Sequence, residues 1–477
     1  MSDTMVTSSI RWTAISNVFR AGISFLQIIV LARLIEPSEF GVYAIVSAVQ
    51  MFALSFSDAG ISSAIIHFQQ LNDGEKSSLF WWNIIISISV YILIFISAFP
   101  LSIIFDNDRI TTLIALSSTI LIVNALSQQI RALAERDMRF AIVARIEISS
   151  TFLGFASSVT LAYLGWDVLA IILSQILVST VSTILFWIFL SNGWRPSLHL
   201  NIGESLPYVK YGVKIVFVNL LNIGISQADV LIFGRFVSPY LLGLYSQPRE
   251  LLIKILTTIN PIITRVGFPL MAKNKSDRAA LARIYTKTLR MSASVCFPIF
   301  ACICLLSSDL VLVIFGNTWS NSVPFMQTLA IWFLVRSIGN PIGGLLYAVG
   351  ATRMALVQSS SLLIIMVCST YVVGRYDPKL VPFALIVIHS CLVPIVWHFM
   401  VKPLCGATVT DCLRQVTPPM LCVISAIAAA SPLLLMMRDA GPVRLVVVGS
   451  VGVIVYISTS FVANKEWTTE MRRLLAI

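Results

Sequence analysis

Charge is scarce in this chain. Asp, Glu, Lys and Arg make up 12% of its 477 residues, against about 25% in an ordinary soluble domain. With 57% apolar residues, most of the chain must lie in lipid, because so few charges cannot cover a water-facing surface. Acid is scarcer than base, 22 against 33, for a formal charge of +11. Cysteine is missing from the first 295 residues, and all eight fall between Cys296 and Cys422. They lack the spacing of a zinc site or a redox pair and read as packing residues, Cys302 and Cys304 included. No GxxxxGK[ST] stretch occurs, so ATP hydrolysis at a phosphate loop is excluded. No cleavable signal peptide is expected either, since the first apolar run carries Asn17, Arg20 and Gln27 and no small-residue cleavage pattern follows it. Neither a metal nor a cofactor is implied.

Long apolar runs are what the chain has in abundance. A helix needs about 20 residues to cross a bilayer. Fourteen such runs can be marked, at 12–32, 40–66, 79–105, 110–130, 146–164, 168–190, 208–234, 240–271, 291–307, 323–349, 355–373, 381–401, 416–437 and 445–463. Nineteen Lys and Arg fall at the ends and connectors of one face and seven at the other. The richer face should be cytoplasmic, with both termini there. The basic excess is then a membrane-orientation signal, and nucleic acid is not the expected partner.

One stretch is used twice. NVFRAGISFLQIIVLARLIEPSEFGVY at 17–43 returns 202 residues later as NLLNIGISQADVLIFGRFVSPYLLGLY at 219–245, without a gap. Asn17/Asn219, Gly22/Gly224, Ser24/Ser226, Arg33/Arg235, Pro37/Pro239, Gly41/Gly243 and Tyr43/Tyr245 are identical pairs. Chance identity in apolar sequence would favour Leu, Ile and Val, so a half-molecule has been duplicated. Six spans separate the copies, which therefore run in parallel. The expected architecture is all-α, with an N-lobe at 1–200, a C-lobe at 201–403, and two further spans with a tail at 404–477.

Functional residues are sought among polar groups that lipid would reject. Asn17, Arg20, Ser24 and Gln27 are spaced by three, four and three, as are their partners Asn219, Asn222, Ser226 and Asp229. At about 100° per residue each set covers one narrow helix face. The stripes are expected to face each other across a watery cavity. Ser24 and Ser226 are read as bonding neighbouring helices. Arg20 is read as a cavity residue, since a cation deep in a span costs about 2.5 kcal/mol or more without water, a partner or a ligand.

In the second span, Ser47, Gln50 and Asp58 share a region that the repeat echoes with Arg249 and Asn260. Glu250 and Lys254 are spaced to pair with each other, leaving Arg249 as the ligand candidate. Arg336 and Asn340 are four apart just before Pro341, where the helix should break. Lys210, Lys214 and Arg265 are expected to snorkel. The excess of buried cations favours an anionic solute, and Arg in particular suits phosphate. The substrate-binding candidates are thus Arg20, Arg249, Arg336, Asn17, Asn222, Asp229 and Asn340. Asp58 and Glu147 are the candidates for ion coupling. His389 and His398, nine apart, lie on opposite faces and do not form a pair. Asp106-Asn107-Asp108 has an acidic pairing used by glycosyltransferases but falls in a short connector, so an enzyme is not expected.

The stretches LARLIEPSEFGVYAIV at 31–46, FSDAGISSAII at 56–66, IRALAERDMRF at 130–140, NPIITRVGFPLMAK at 260–273, FGNTW at 315–319 and RSIGNPIGGLL at 336–346 run in order along the chain. With Phe80-Trp81-Trp82-Asn83, they resemble Wzx-type polysaccharide flippases, in the branch of the colanic acid and succinoglycan exporters. The resemblance implies the multidrug/oligosaccharidyl-lipid/polysaccharide superfamily and two six-helix lobes. It implies transfer of undecaprenyl-pyrophosphate-linked oligosaccharide units across the bacterial inner membrane, with polysaccharide polymerase and export machinery as partners; apart from the resemblance, a monomer among membrane lipids is the default expectation. A drug exporter of the same superfamily and a peptidoglycan-precursor flippase are the alternatives. Trp81 and Trp82 read as interfacial anchors rather than sugar contacts.

Overall fold

The computed structural model describes residues 3–57, 62, 65, 71–437 and 439–475. Every element among them is helical. The first seven helices are α1 (Asp3–Leu34), α2 (Pro37–Ser57), α3 (Asp73–Ile104), α4 (Arg109–Arg136), α5 (Phe140–Tyr163), α6 (Asp167–Leu190) and α7 (Ile202–Phe236). After them come α8 (Pro239–Lys273), α9 (Arg278–Leu305), α10 (Ser307–Ile314), α11 (Val323–Ser337), α12 (Asn340–Val349), α13 (Thr352–Tyr376) and α14 (Val381–Val396). The chain closes with α15 (Val409–Met436), α16 (Pro442–Ala463) and α17 (Lys465–Leu475).

Thirteen helical segments among the described residues are long and apolar enough to cross a membrane. The fourteenth expected span is α8, which has 35 residues but carries Arg249, Glu250, Lys254 and Arg265. It is long enough to span, and the side chains at 262, 263 and 266 within it lie outside the described residues. The break expected before Pro341 is present: α11 ends at Ser337, and α12 begins at Asn340 with Pro341 in its first turn. Proline has no N–H to lose there.

By its contacts the chain forms two compact units, Met1–Gly243 and Leu244–Ile477, which divide near the start of α8. In the first, α1 lies along α5, α5 on α6, α6 on α4, and α2 packs on both α4 and α7. Small side chains permit this closeness. A Cβ on Gly154 of α5 would stand 2.1 Å from the Val178 Cγ2 on α6. Ser87, Ser117, Ser158 and Ser174 are buried at helix contacts. Lipid gives helices no hydrophobic reason to associate, so close van der Waals packing of small residues has to do it. Large apolar groups point outward instead, with Ile103 80% and Ile188 65% exposed.

The duplicated turns meet inside this first unit. A Cβ on Gly41 would lie 1.8 Å from the Pro239 carbonyl oxygen, and one on Gly243 would lie 1.8 Å from that of Pro37. The contact is reciprocal, glycine of each copy against proline of the other. Nearby, Arg109 donates to both carboxylate oxygens of Glu39 at 2.8 and 2.9 Å, tying α4 to α2.

In the second unit α9 is the hub, packing on α11, α12 and α15, while α15 pairs with α16. Polar ties fasten the last two spans at both ends. Asp309, fully buried, accepts from Arg444 Nε at 2.8 Å and from the Gly441 amide at 2.8 Å. At the other end Asn464 accepts from Arg290 Nε and donates to Ser294 Oγ, each at 2.8 Å. Between these ties lies a cavity of about 480 Å³ lined by apolar groups such as Leu306, Ala426, Ala430, Val448 and Gly452. Among the described residues no charged side chain lines it.

Candidate functional site

The polar stripe of α1 finds its partners on α5, and the two helices run in the same direction. Gln27 donates to Ser158 at 3.2 Å, one helix bonding its neighbour. Two turns earlier the interaction changes character. Arg20 Nη1 lies 3.0 Å from Glu147 Oε2, and Ser16, buried on the same helix, donates to that oxygen at 3.2 Å. The other carboxylate oxygen, Oε1, lies 2.7 Å from Nη2 of Arg131 near the end of α4. Arg131 also donates through Nε to Glu135, one turn on, at 2.8 Å. Arg145 sits over the Trp12 ring at 5.0 Å, close by on the same pair of helices.

Two guanidinium groups thus converge on one carboxylate. The arginine side chains are 44% and 45% exposed and the glutamate 13%, so the cations are reachable while the acid lies beneath them. Asn17 is exposed on α1 beside them. Glu147, expected as an ion-coupling group, is here the counter-ion of two arginines.

The other candidates do not join this cluster. Asn222 is exposed and Asp229 fully buried on α7, which packs on α2 and α3. Arg249 is fully buried in the second unit, its Nη1 3.7 Å from Glu250. Glu250, its neighbour in sequence, is 42% exposed, so the contact joins a fully buried guanidinium to a carboxylate at the surface. Arg336 lies over Trp332 at 5.4 Å and Phe333 at 5.6 Å, a cation on two aromatic faces. The Trp332 indole in turn donates to His389 Nδ1 at 3.0 Å. Among the described residues no hydrogen-bond acceptor meets the buried amide nitrogen of Asn340. Asp58, and the side chains of Lys210 and Lys214, lie outside the described residues.

The aromatic run at 80–83 serves packing. Trp81 donates to the Ser197 carbonyl at 2.8 Å and Asn83 to that of Ala125 at 3.3 Å. Trp187 and Trp194 stack at 6.3 Å beside Phe80. Together these groups hold the connector 191–201 against the start of α3. Asp106 and Asp108 lie exposed in the turn between α3 and α4.

Residues 30–324, more than half of the sequence, match the family described as polysaccharide biosynthesis protein. The chain belongs to that family. This member is 30% identical over 341 residues to the lipopolysaccharide biosynthesis protein WzxC of Escherichia coli, covering 72% of this chain and 69% of that one. It is 25% identical over 360 residues to the teichuronic acid biosynthesis protein TuaB of Bacillus subtilis, covering 76% and 74%. Its fold is similar to that of the lipid II flippase MurJ in an inward closed conformation, with a TM-score of 0.73 at 13% identity over 96% of this chain and 99% of that one. A multidrug resistance MATE family transporter, inward-facing, gives a TM-score of 0.60 at 14% identity over 83% and 95%. At such identities these structures speak for the fold alone. The resemblance to Wzx-type flippases is borne out, and with it an all-α, multi-pass protein of the bacterial inner membrane from a transporter rather than an enzyme family.

Arg131 was missed as a site residue. Its sequence neighbour Glu135, four residues on, already explains it as a local helix pair, and it stands among the basic residues of one membrane face. Only the approach of α4 to α5 brings it to Glu147.

Proposed function

We propose that this protein moves undecaprenyl-diphosphate-linked oligosaccharide units across the inner membrane for exopolysaccharide or lipopolysaccharide synthesis. The observation that carries the reading is the half-exposed Arg20 on a membrane-crossing helix of a polysaccharide biosynthesis family member. A guanidinium there needs an anion or water to be tolerable, and its planar fork matches a phosphate. The lipid-linked diphosphate supplies that anion while its isoprenoid tail stays in the bilayer.

In this mechanism the head group is exposed alternately to the two faces of the membrane, and Arg20 holds the diphosphate during the exchange. The basic face is cytoplasmic, so loading occurs from that side, and a polysaccharide polymerase with its export machinery takes the delivered unit. Arg249 is fully buried, and Arg336, partly buried over Trp332 and Phe333, is the more accessible of the two for a further phosphate contact. A cation exporter would want acids where this chain presents Arg20, which disfavours the drug-export alternative. The peptidoglycan precursor shares the same diphosphate anchor and differs in its sugar.

The test is translocation in sealed proteoliposomes, scored by the access of an impermeant glycosidase to an undecaprenyl-diphosphate-linked oligosaccharide. Wild-type protein should expose the sugar, and Arg20→Ala should lose most of that activity while still inserting normally. Full activity of Arg20→Ala would remove the phosphate contact. No movement by wild type, with or without an imposed ion gradient, would remove the flippase reading.

A further inference from the structure

We infer that Arg20 and Arg131 form a single oxyanion site, that Glu147 occupies it in the unloaded protein, and that a substrate phosphate displaces the carboxylate. The inference rests on the flippase reading and adds to it a second arginine and a resident competitor.

Two hydrogen-bond donors on one helix and a guanidinium ion-paired from another converge on this one small anion. Arg20 and Ser16 reach Oε2 from α1, and Arg131 reaches Oε1 from α4, at 3.0, 3.2 and 2.7 Å. A carboxylate held at both oxygens by separate guanidinium groups occupies the place of a phosphate group, which offers one more oxygen and more charge to the same donors. Exposure runs in the direction that displacement requires. Both arginines are nearly half exposed, so an incoming oxyanion meets them before it meets the buried-side acid.

The charges around the site are accounted for. Arg131 keeps Glu135 on its Nε, which fixes the guanidinium plane and leaves Nη2 as the arm that exchanges. Arg145, two residues from Glu147 on α5, lies over the Trp12 ring at 5.0 Å. Glu147 has two roles in this arrangement. It holds two arginines in the geometry an oxyanion needs, which lowers the ordering cost of binding. It also sets a threshold, since only an anion stronger than a carboxylate takes the site. Weak monovalent anions are thereby excluded, and phosphate esters and diphosphates are admitted.

The deciding measurement is binding to the purified full-length protein, with soluble inorganic pyrophosphate and vesicle-borne undecaprenyl diphosphate as separate probes. Glu147→Gln keeps the shape and a hydrogen bond for Ser16 while removing the competing charge, and should tighten binding of both probes by about tenfold. Glu147→Ala should act in the same direction and serves if the Gln variant is not recovered. Arg131→Gln should weaken both by about tenfold or more. Tightening for the lipid probe alone would place the site at a headgroup rather than at any free phosphate, and would still support it. Unchanged affinity in Glu147→Gln and Glu147→Ala, or in Arg131→Gln, overturns the exchange. Failure of the flippase reading is distinguishable: wild type then moves no lipid-linked oligosaccharide in proteoliposomes, whatever the variants bind.

Discussion

At the scale of single residues, the chain spends its few charges in pairs whose surroundings differ. Arg20 and Arg131 share Glu147 near an accessible surface, whereas Arg444 and Asp309 are enclosed together. Glycine is used as sparingly, and Gly41 and Gly243 are where its missing Cβ matters most. Each lets a helix start come against the proline carbonyl of the other repeat copy. Gly41→Ala or Gly243→Ala must push these backbones apart, and each should cost about 1–3 kcal/mol. Because one separation relieves both clashes, the double substitution should cost much less than the sum. Thermal unfolding of the two single variants and the double variant in detergent tests this, and strict additivity would show that the two contacts are independent.

At the scale of elements, the last two spans are fastened to α9 at one end and to α10 at the other rather than hung beside them. Asp309 is bonded by Arg444 and the Gly441 amide at one end, and Arg290, Asn464 and Ser294 are linked at the other. Arg444→Ala would strand a fully buried carboxylate, which typically costs about 3–5 kcal/mol. Replacing both partners, as Asp309→Asn with Arg444→Met, should restore most of the loss, because an uncompensated charge costs more than a missing pair. The melting temperatures of the single and double variants decide it. If both variants melt like wild type, the tie contributes nothing. The break between α11 and α12 also belongs to this scale: Pro341 and the glycines around it announce it in the sequence, and the structure puts it two residues before the proline.

At the scale of the whole molecule, the uneven spread of Lys and Arg predicts which face is inside. Ser276, between Lys275 and Arg278, should lie in the cytoplasm, and Asp108, in the α3–α4 turn, in the periplasm. Ser276→Cys and Asp108→Cys, each compared with the parent as background, can be labelled with an impermeant maleimide in spheroplasts. Asp108→Cys should react at once, and Ser276→Cys only after permeabilisation. The reverse pattern would invert the topology and move substrate loading to the other face.

Composition and apolar pattern were enough to predict membrane residence and helical class, because hydrophobicity and helical period are local properties of the chain, while the family was legible only as a resemblance in ordered motifs such as 31–46 and 336–346. The apolar pattern also singled out Arg20, since an arginine among apolar residues is costly wherever the helix packs. What local pattern could not supply is the partner of each charge. Arg131 has a sufficient explanation in Glu135 four residues on, and Glu147 lies 127 residues from Arg20. Only the packing of α1 and α4 on either side of Glu147 brought three charges to one place. The same holds for Arg249, whose full burial beside Glu250 depends on how α8 is enclosed. Which residues must be polar is written along the chain, and which of them meet is decided by the helices' packing.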